Sequence, residues 1–242
     1  MPVQFWSGDG GVPGDFSYGT VHILAVVFLV LLSAALSVFG AKKMSETGRR
    51  KTVVTLAVLA LGFEVFWRIV FLARGKEAIE LYPFYPCNLA GLLVPVIALS
   101  NNKILKEMFY LFAFIGGVVT FAIPDGIFTN QYLTFPILKS ILQHCAIIIL
   151  PVFEYCNKTY TPKFKNFWLA ICGMLVHLFN SEIMPKLFGQ TGTDYIFLRS
   201  GLPFVIPGVP GWLTLTVFAI IIVIISYAVL DFKGFKALFK KS

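Results

Sequence analysis

One cysteine in this sequence stands where a thiol is chemically favoured. Cys87 directly follows Pro86, and the two open an apolar run that continues to Leu99. Proline suits the first helical position, so the pair predicts Cys87 in the first turn of a helix. Partial positive charge at a helix N-terminus favours the nucleophilic thiolate. His144 lies in another apolar segment, and an imidazole at matching depth would serve as its general base. Cysteine paired with histidine supports acyl transfer, in which the thiol forms a thioester and hands the acyl group on. The same two residues also read as a small residue at a kinked helix start and a packing histidine. No GxSxG or HExxH motif offers a better-defined hydrolase. The remaining cysteines, Cys145, Cys156 and Cys172, form no CxxC pair and show no zinc spacing with histidine. They read as small core residues, and neither a metal nor a cofactor is expected.

The elements that must position these residues are membrane helices. Of 242 residues, 57% are hydrophobic and only 13% are charged, with a mean hydropathy of +0.81. A soluble domain carries roughly a quarter charged residues, so this chain has too little polar surface for water. Its apolar residues also fall in long blocks rather than at amphipathic spacing. The expected fold is all-α: a polytopic bundle of seven transmembrane helices in a single integral membrane domain, 1–242. The spans are placed at His22–Ala41, Thr52–Ala73, Tyr82–Leu99, Ile104–Pro124, Pro136–Tyr155, Phe164–Met184 and Trp212–Leu230. The third is interrupted by Pro83, Pro86 and Pro95, which lipid-embedded helices tolerate beside a cavity. Residues 1–20 contain no Lys or Arg, so they lack the basic region of a cleavable signal.

The connectors set an orientation. Those after spans one, three and five carry Lys42, Lys43, Arg49, Arg50, Lys51, Lys103, Lys106, Lys158, Lys163 and Lys165, and the tail adds Lys233, Lys236, Lys240 and Lys241. The opposite connectors hold Arg74, Lys76, Lys186 and Arg199. The positive-inside rule puts the N-terminus outside and the C-terminus in the cytoplasm of a multi-pass cell-membrane protein. Residues 1–20 and the long loop 185–211 are then extracytoplasmic, the loop either a lid or a passive link on the headgroups. The net charge of +8 lies in these connectors, not in a basic patch interleaved with aromatics, so no nucleic-acid partner is expected.

Orientation gives each polar residue a depth. His22 falls at the outer mouth of span one, Glu64 and Arg68 in the outer half of span two, and Asn88 beside Cys87. Asp125 closes span four, while Gln143 and His144 lie roughly 10–12 Å below the outer end of span five. His177, Asn180 and Glu182 occupy the outer part of span six. The inner stretches Leu32–Phe39, Thr52–Leu61, Leu89–Leu99 and Ile147–Phe153 hold almost nothing polar beyond hydroxyls. Ionisable groups in hydrocarbon are costly unless paired or facing a wet cavity. Their common depth therefore predicts a polar pocket opening outward. Each also has a structural reading: Glu64 and Arg68 as an i,i+4 pair, His22 at the headgroups, His177 in packing, Asp125 in a turn, and Lys139 snorkelling from the mouth of span five.

The segment Tyr82-Pro83-Phe84-Tyr85-Pro86-Cys87-Asn88-Leu89 resembles the Leu-Pro-Leu-His-Leu-Cys-x-Leu signature of the YwaF-type bacterial integral membrane proteins. Ile123-Pro124-Asp125 is similar to that family's Thr-Pro-Asp, and Gln143-His144 to its Ser-His pair. Asp194-Tyr195-Ile196-Phe197-Leu198 resembles its Asn-Tyr-Leu-Phe-Leu segment, and His22 also fits. Tyr85 and Asp194 depart from the family's His and Asn. The bacterial family resembles, more remotely, the eukaryotic transmembrane protein 164 acyltransferases, which move a fatty acyl chain onto a lysophospholipid through a cysteine. The resemblance implies that Cys87 is the acyl-accepting nucleophile, His144 the base, and phospholipid or lysophospholipid the partner. Two function classes follow: a cysteine-thioester lipid acyltransferase or acyl hydrolase, and a non-enzymatic seven-helix transporter or small-ligand binder. A transporter needs polar or broken helices through the midplane. The apolar inner halves favour the enzyme.

Overall fold

The computed structural model describes residues 5–6, 14–124, 126–190, 195, 209 and 211–239. Among them the structure is helical, with no β-strand. Helix α1 spans Thr20–Lys43, α2 Glu46–Ala73, α3 Pro86–Ser100, α4 Lys103–Ala122, α5 Phe135–Cys156 and α6 Phe167–Glu182. A single turn α7 (Met184–Leu187), then α8 (Gly211–Leu230) and α9 (Phe232–Phe239), complete the order. Four helices and the composite stretch Phe164–Leu187 are long and apolar enough to cross a membrane, while Pro86–Ser100 and Thr216–Leu230 are apolar but shorter. Large side chains such as Leu24, Leu31, Leu59 and Ile69 are more than half exposed on the bundle surface. Water would penalise that surface, whereas lipid accepts it.

Sequence chemistry explains the helix ends. The Ser45 side chain accepts from Gly48 N at the start of α2, and Asn102 Oδ1 accepts from Ile104 N and Leu105 N at the start of α4. Helix α3 opens with Pro86 at its first turn and stops where Asn101 turns left-handed, φ 53°. The helix expected from Tyr82 therefore begins at Pro86. Pro83 and Pro86 keep the intervening residues out of the helical region, and the chain before them is a 3-10 turn, Ala78–Leu81, followed by extended backbone.

Successive long helices run antiparallel. His22 at the start of α1 meets Phe121 at the end of α4, and Asn180 at the end of α6 meets Pro83 before α3. At the other end Glu154 of α5 meets Lys106 of α4, and Tyr227 of α8 meets Glu107. The two ends are named here for Cys87 and Lys106. Helix α5 is central, packing on α1, α2, α3 and α4, while α8 lies on α6. Helices α1 and α2, though joined by two residues, share no extended packed face. Helices α4 and α6 approach closely because Gly173 lacks a side chain: a Cβ there would run into the Met108 carbonyl.

Several basic residues of the connectors do more than meet lipid. Arg50 donates to Ala98 O and Leu99 O, both at 2.6 Å, and Arg49 donates to Gly40 O and Asn157 O at 3.0 and 3.2 Å. These arginines donate to carbonyls at the C-terminal ends of α1, α3 and α5. Lys106, expected among the connector cations, is instead buried and ion-paired with Glu154.

Candidate functional site

Gln143 ties the centre of the bundle to Cys87. Its Nε2 donates to the Cys87 carbonyl at 2.5 Å and to Asn88 Oδ1 at 3.1 Å. Asn88 Oδ1 also accepts from Lys139 Nζ at 2.9 Å. Lys139 and Gln143 are one helical turn apart on α5, so both address the first turn of α3. Lys139 does not snorkel to the headgroups as expected. Its ammonium lies 4.3 Å from the Trp67 ring centroid, where a cation gains from the aromatic face as well as from the amide.

Helix α2 supplies the other side. Glu64 is 1% exposed, and its Oε2 accepts from Arg68 at 2.5 Å and from Trp67 Nε1 at 2.8 Å. The Arg68 guanidinium stands 4.4 Å from the same Trp67 ring. The carboxylate is thus half engaged, because Glu64 Oε1 has no partner. Gly91, one turn beyond Cys87 on α3, lets Glu64 and Gln143 close over its backbone. A Cβ at Gly91 would sit 2.9 Å from Glu64 Oε1 and 2.8 Å from Gln143 Cγ. Gln143 Oε1 and Arg68 NH2 also lack partners. Buried polar groups are normally satisfied, so several orphans around one spot mark an unusual place. The Cys87 thiol has Lys139 and Glu64 as its charged neighbours.

His144 is turned to a different side of α5. Its Nδ1 lies 2.7 Å from Ser140 O, which can only accept, so Nδ1 carries the proton and Nε2 presents a lone pair. That Nε2 is buried without a partner, and the ring meets Phe121 edge-on at 6.1 Å. No hydrogen bond joins His144 to Cys87 among the described residues. His177 is also buried, between Phe109 and Phe112, with neither ring nitrogen partnered. Asn180 and Ser181 donate to Pro83 O and Phe84 O at 2.6 and 2.5 Å, which clamps the extended backbone leading into Cys87. His22 is complete: Nδ1 accepts from Tyr18 N and Nε2 donates to Phe121 O, both at 2.8 Å, and the ring stacks on Phe128. Buried rather than at the headgroups, it fastens α1 to the end of α4. Asp125 lies outside the described residues, as does most of the loop 185–211. Tyr195 of that loop packs against Phe84 and Tyr85 at 5.0 and 4.9 Å.

A cavity of about 310 Å³ runs from this cluster toward the Lys106 end. Glu64, Gly91 and Gln143 line it beside this cluster, Phe28, Leu32, Leu56, Leu59, Ala60, Phe63, Ala146 and Ile149 are among its other walls, and its exposed lining is almost wholly apolar. Phe28 and Leu59 are also 51% and 65% exposed, so the mouth lies between α1 and α2, on the bundle's outer surface. Of the other cysteines, Cys145 lines the cavity and is buried, Cys172 is half-buried, and Cys156 is exposed rather than in the core.

The Lys106 end holds a second buried cluster that the hydropathy pattern hides. Glu154 accepts from Lys106 and from Tyr110 OH at 3.0 Å, and Lys106 also donates to Asn101 Oδ1 at 2.6 Å. Glu107 accepts from Tyr227 OH at 2.6 Å, Tyr160 OH at 3.2 Å, Asn166 Nδ2 at 3.0 Å and Lys163 N at 3.1 Å. One sequence signal was present: acidic residues at the ends of spans whose connectors are otherwise basic.

Among the described residues no group of three His, Cys, Asp or Glu side chains could hold a metal ion. No curated protein and no solved structure matches this chain significantly. The TMEM164 family model matches residues 17–229, from the turn before α1 to the end of α8, and so takes in both clusters and the cavity. This membrane protein belongs to the TMEM164 family.

Proposed function

We propose that this protein is a thiol-dependent lipid acyltransferase or acyl hydrolase of a YwaF-type bacterial branch, with Cys87 as acyl carrier and His144 as base. It crosses the cell membrane seven times, with the N-terminus outside. The alternating direction of the helices and the basic bias of the Lys106 end support that orientation. A reporter cysteine at Gly189 should then be labelled only from outside, and reporters at Lys43 and Lys163 only from the cytoplasm.

The reading is carried by one observation: Cys87 shares a membrane-buried cluster with a lysine, a half-engaged carboxylate and two amides. Phospholipid enters from the outer leaflet. In this structure His144 faces another side of α5, so that face must turn toward Cys87. Its Nε2 then takes the thiol proton, and the sulfur attacks an ester carbonyl. The C–O bond breaks, the leaving oxygen receives that proton, and a thioester and a lysolipid result. A lipid hydroxyl or water then attacks the thioester and returns the thiol. Lys139 and Arg68 outnumber Glu64 by one positive charge, the sign that stabilises an oxyanion. Intact-mass analysis after incubation with phospholipid tests this: a hydroxylamine-sensitive acyl adduct should form on Cys87, and His144→Ala should slow it by roughly 10²–10⁴-fold.

The lack of a hydrogen bond between Cys87 and His144 favours a second reading, a non-enzymatic ligand binder or transporter in which the same cluster recognises a polar headgroup. In that case phospholipid would bind and no adduct would form.

A further inference from the structure

Helix α9 is amphipathic and is fixed at the Lys106 end of the bundle by one carboxylate. By spacing, Phe232, Phe235 and Phe239 fall on one face of the helix, with Lys233 and Lys236 beside it. The helix packs on the end of α8 and on the 3-10 turn Phe164–Asn166 that precedes α6. Asp231 is the joint. Its Oδ2 accepts from Phe164 N at 3.0 Å and its Oδ1 from Gly234 N at 3.3 Å, so it caps α9 and fastens it to the connector. The Phe164 and Phe235 rings meet edge-on at 5.1 Å beside that joint. Helix α9 lies beyond the residues that the family model covers.

The joint gathers positive charge. Lys163 and Lys165 flank Phe164, and Lys233 and Lys236 share a helix with Phe235. All four lysines are exposed, and none is ion-paired among the described residues. Lys236 Nζ stands 4.6 Å from the centroid of the Phe232 ring, which is 54% exposed. The one carboxylate at the joint, Asp231, is spent on backbone N–H groups. Other cations at this end are used differently: Arg49 and Arg50 donate to helix-end carbonyls, Lys106 pairs with Glu154, and Glu46 stands among Lys42, Lys43 and Lys51. Exposed ammoniums beside an exposed ring suit the boundary between headgroups and acyl chains.

We infer that α9 and the connector before α6 form a binding surface for anionic phospholipid headgroups of the leaflet at the Lys106 end. Headgroup phosphates engage Lys163, Lys165, Lys233 and Lys236, and Phe232 lies among the upper acyl chains. A zwitterionic headgroup brings an ammonium of its own, so four unopposed lysines favour the anionic lipid. The same connector holds the buried Glu107 cluster, since Lys163 N and Asn166 Nδ2 both donate to Glu107 Oε1. Headgroup binding therefore also stabilises the bundle. The surface lies at the opposite end from Cys87, and its proposal is independent of the acyl-transfer reading.

The test uses the full chain in a neutral maltoside detergent, titrated with phosphatidylglycerol or phosphatidylcholine and read by native mass spectrometry. Phosphatidylglycerol should bind about tenfold more tightly than phosphatidylcholine. Lys233→Gln combined with Lys236→Gln should weaken phosphatidylglycerol binding about 25-fold, roughly fivefold for each lysine removed, and leave phosphatidylcholine binding unchanged. Phosphatidylglycerol should also raise the melting temperature of the parent, and that rise should shrink in the double variant. Lys42→Gln combined with Lys43→Gln removes the same charge from the same end and should keep the parent's affinity. Equal binding of the two lipids by the parent overturns the anionic surface. A matching loss in the Lys42 and Lys43 variant reduces the effect to net charge and overturns the site.

Discussion

The bundle buries two polar clusters at opposite ends, and they differ in completeness. At the Lys106 end, both oxygens of Glu107 and both oxygens of Glu154 accept hydrogen bonds, and the donors come from α4, α8 and the connector before α6. At the Cys87 end, Glu64 Oε1, Gln143 Oε1, Arg68 NH2 and His144 Nε2 are all unpartnered. Charged groups in a low-dielectric interior are tolerated when fully matched, and matched sets hold helices in one arrangement. The first cluster has the character of a lock. The second keeps hydrogen-bonding capacity in reserve beside a thiol and an open cavity, which is the condition of a site built for a ligand. Asn157 Oδ1 is an exception at the locked end, lying against Gly40 where α1 and α5 meet.

Breaking the lock should have the largest effect. Glu154→Leu strands Lys106, which is 1% exposed, and should cost about 3–5 kcal/mol in thermal unfolding in nanodiscs. Adding Lys106→Met should recover much of that loss. Glu64→Gln should cost less, about 1–2 kcal/mol, because one oxygen is engaged and the Arg68 side chain keeps 17% exposure. Equal losses at the two glutamates would erase the distinction between the clusters. His177→Leu should be neutral or stabilising by up to about 1 kcal/mol, since both ring nitrogens are already unsatisfied. Loss of lipid turnover with unchanged stability would instead move His177 into the site.

The smallest effect concerns the connector between α2 and α3. Lys76 donates to Glu80 at 2.7 Å, and this hydrogen bond, with one from the Glu77 backbone, holds the Glu80 carboxyl below its ordinary value of 4.5. A depressed carboxylate contributes stability above its unfolded pKa and loses it as pH falls through the folded value. Both groups are exposed, so Lys76→Met should lower the melting temperature at pH 7 only slightly, and that small difference from the parent should vanish as pH falls below 4.5 and Glu80 protonates.

Much of this was legible because lipid imposes a one-dimensional code. Apolar blocks of span length gave the helices to within a few residues at most ends, and i,i+4 spacing gave the Glu64–Arg68 pair. What escaped was three-dimensional. Lys106 beside Lys103 reads as one more connector cation until Glu154, 48 residues away, is folded against it. Glu107 and Glu154 sit at span ends, where a charge costs nothing in a hydropathy plot. Lys139 has enough stem to reach the headgroups, and only the position of Trp67 and Asn88 on neighbouring helices turns it inward. Depth was also coarser than direction. Gln143 and His144 share a depth, but successive residues on a helix point about 100° apart, so one meets Cys87 and the other faces Phe121.

The most direct measurement is the covalent state of Cys87. Purified protein incubated with phospholipid, digested and analysed by mass spectrometry should carry an acyl group on the Cys87 peptide. The group should be released by neutral hydroxylamine and should be absent from the peptides of Cys145, Cys156 and Cys172. Cys87→Ala should abolish both the adduct and lipid turnover. Turnover that persists in Cys87→Ala, or an unmodified Cys87 with every phospholipid supplied, would contradict the account and leave the incomplete cluster as a binding site alone.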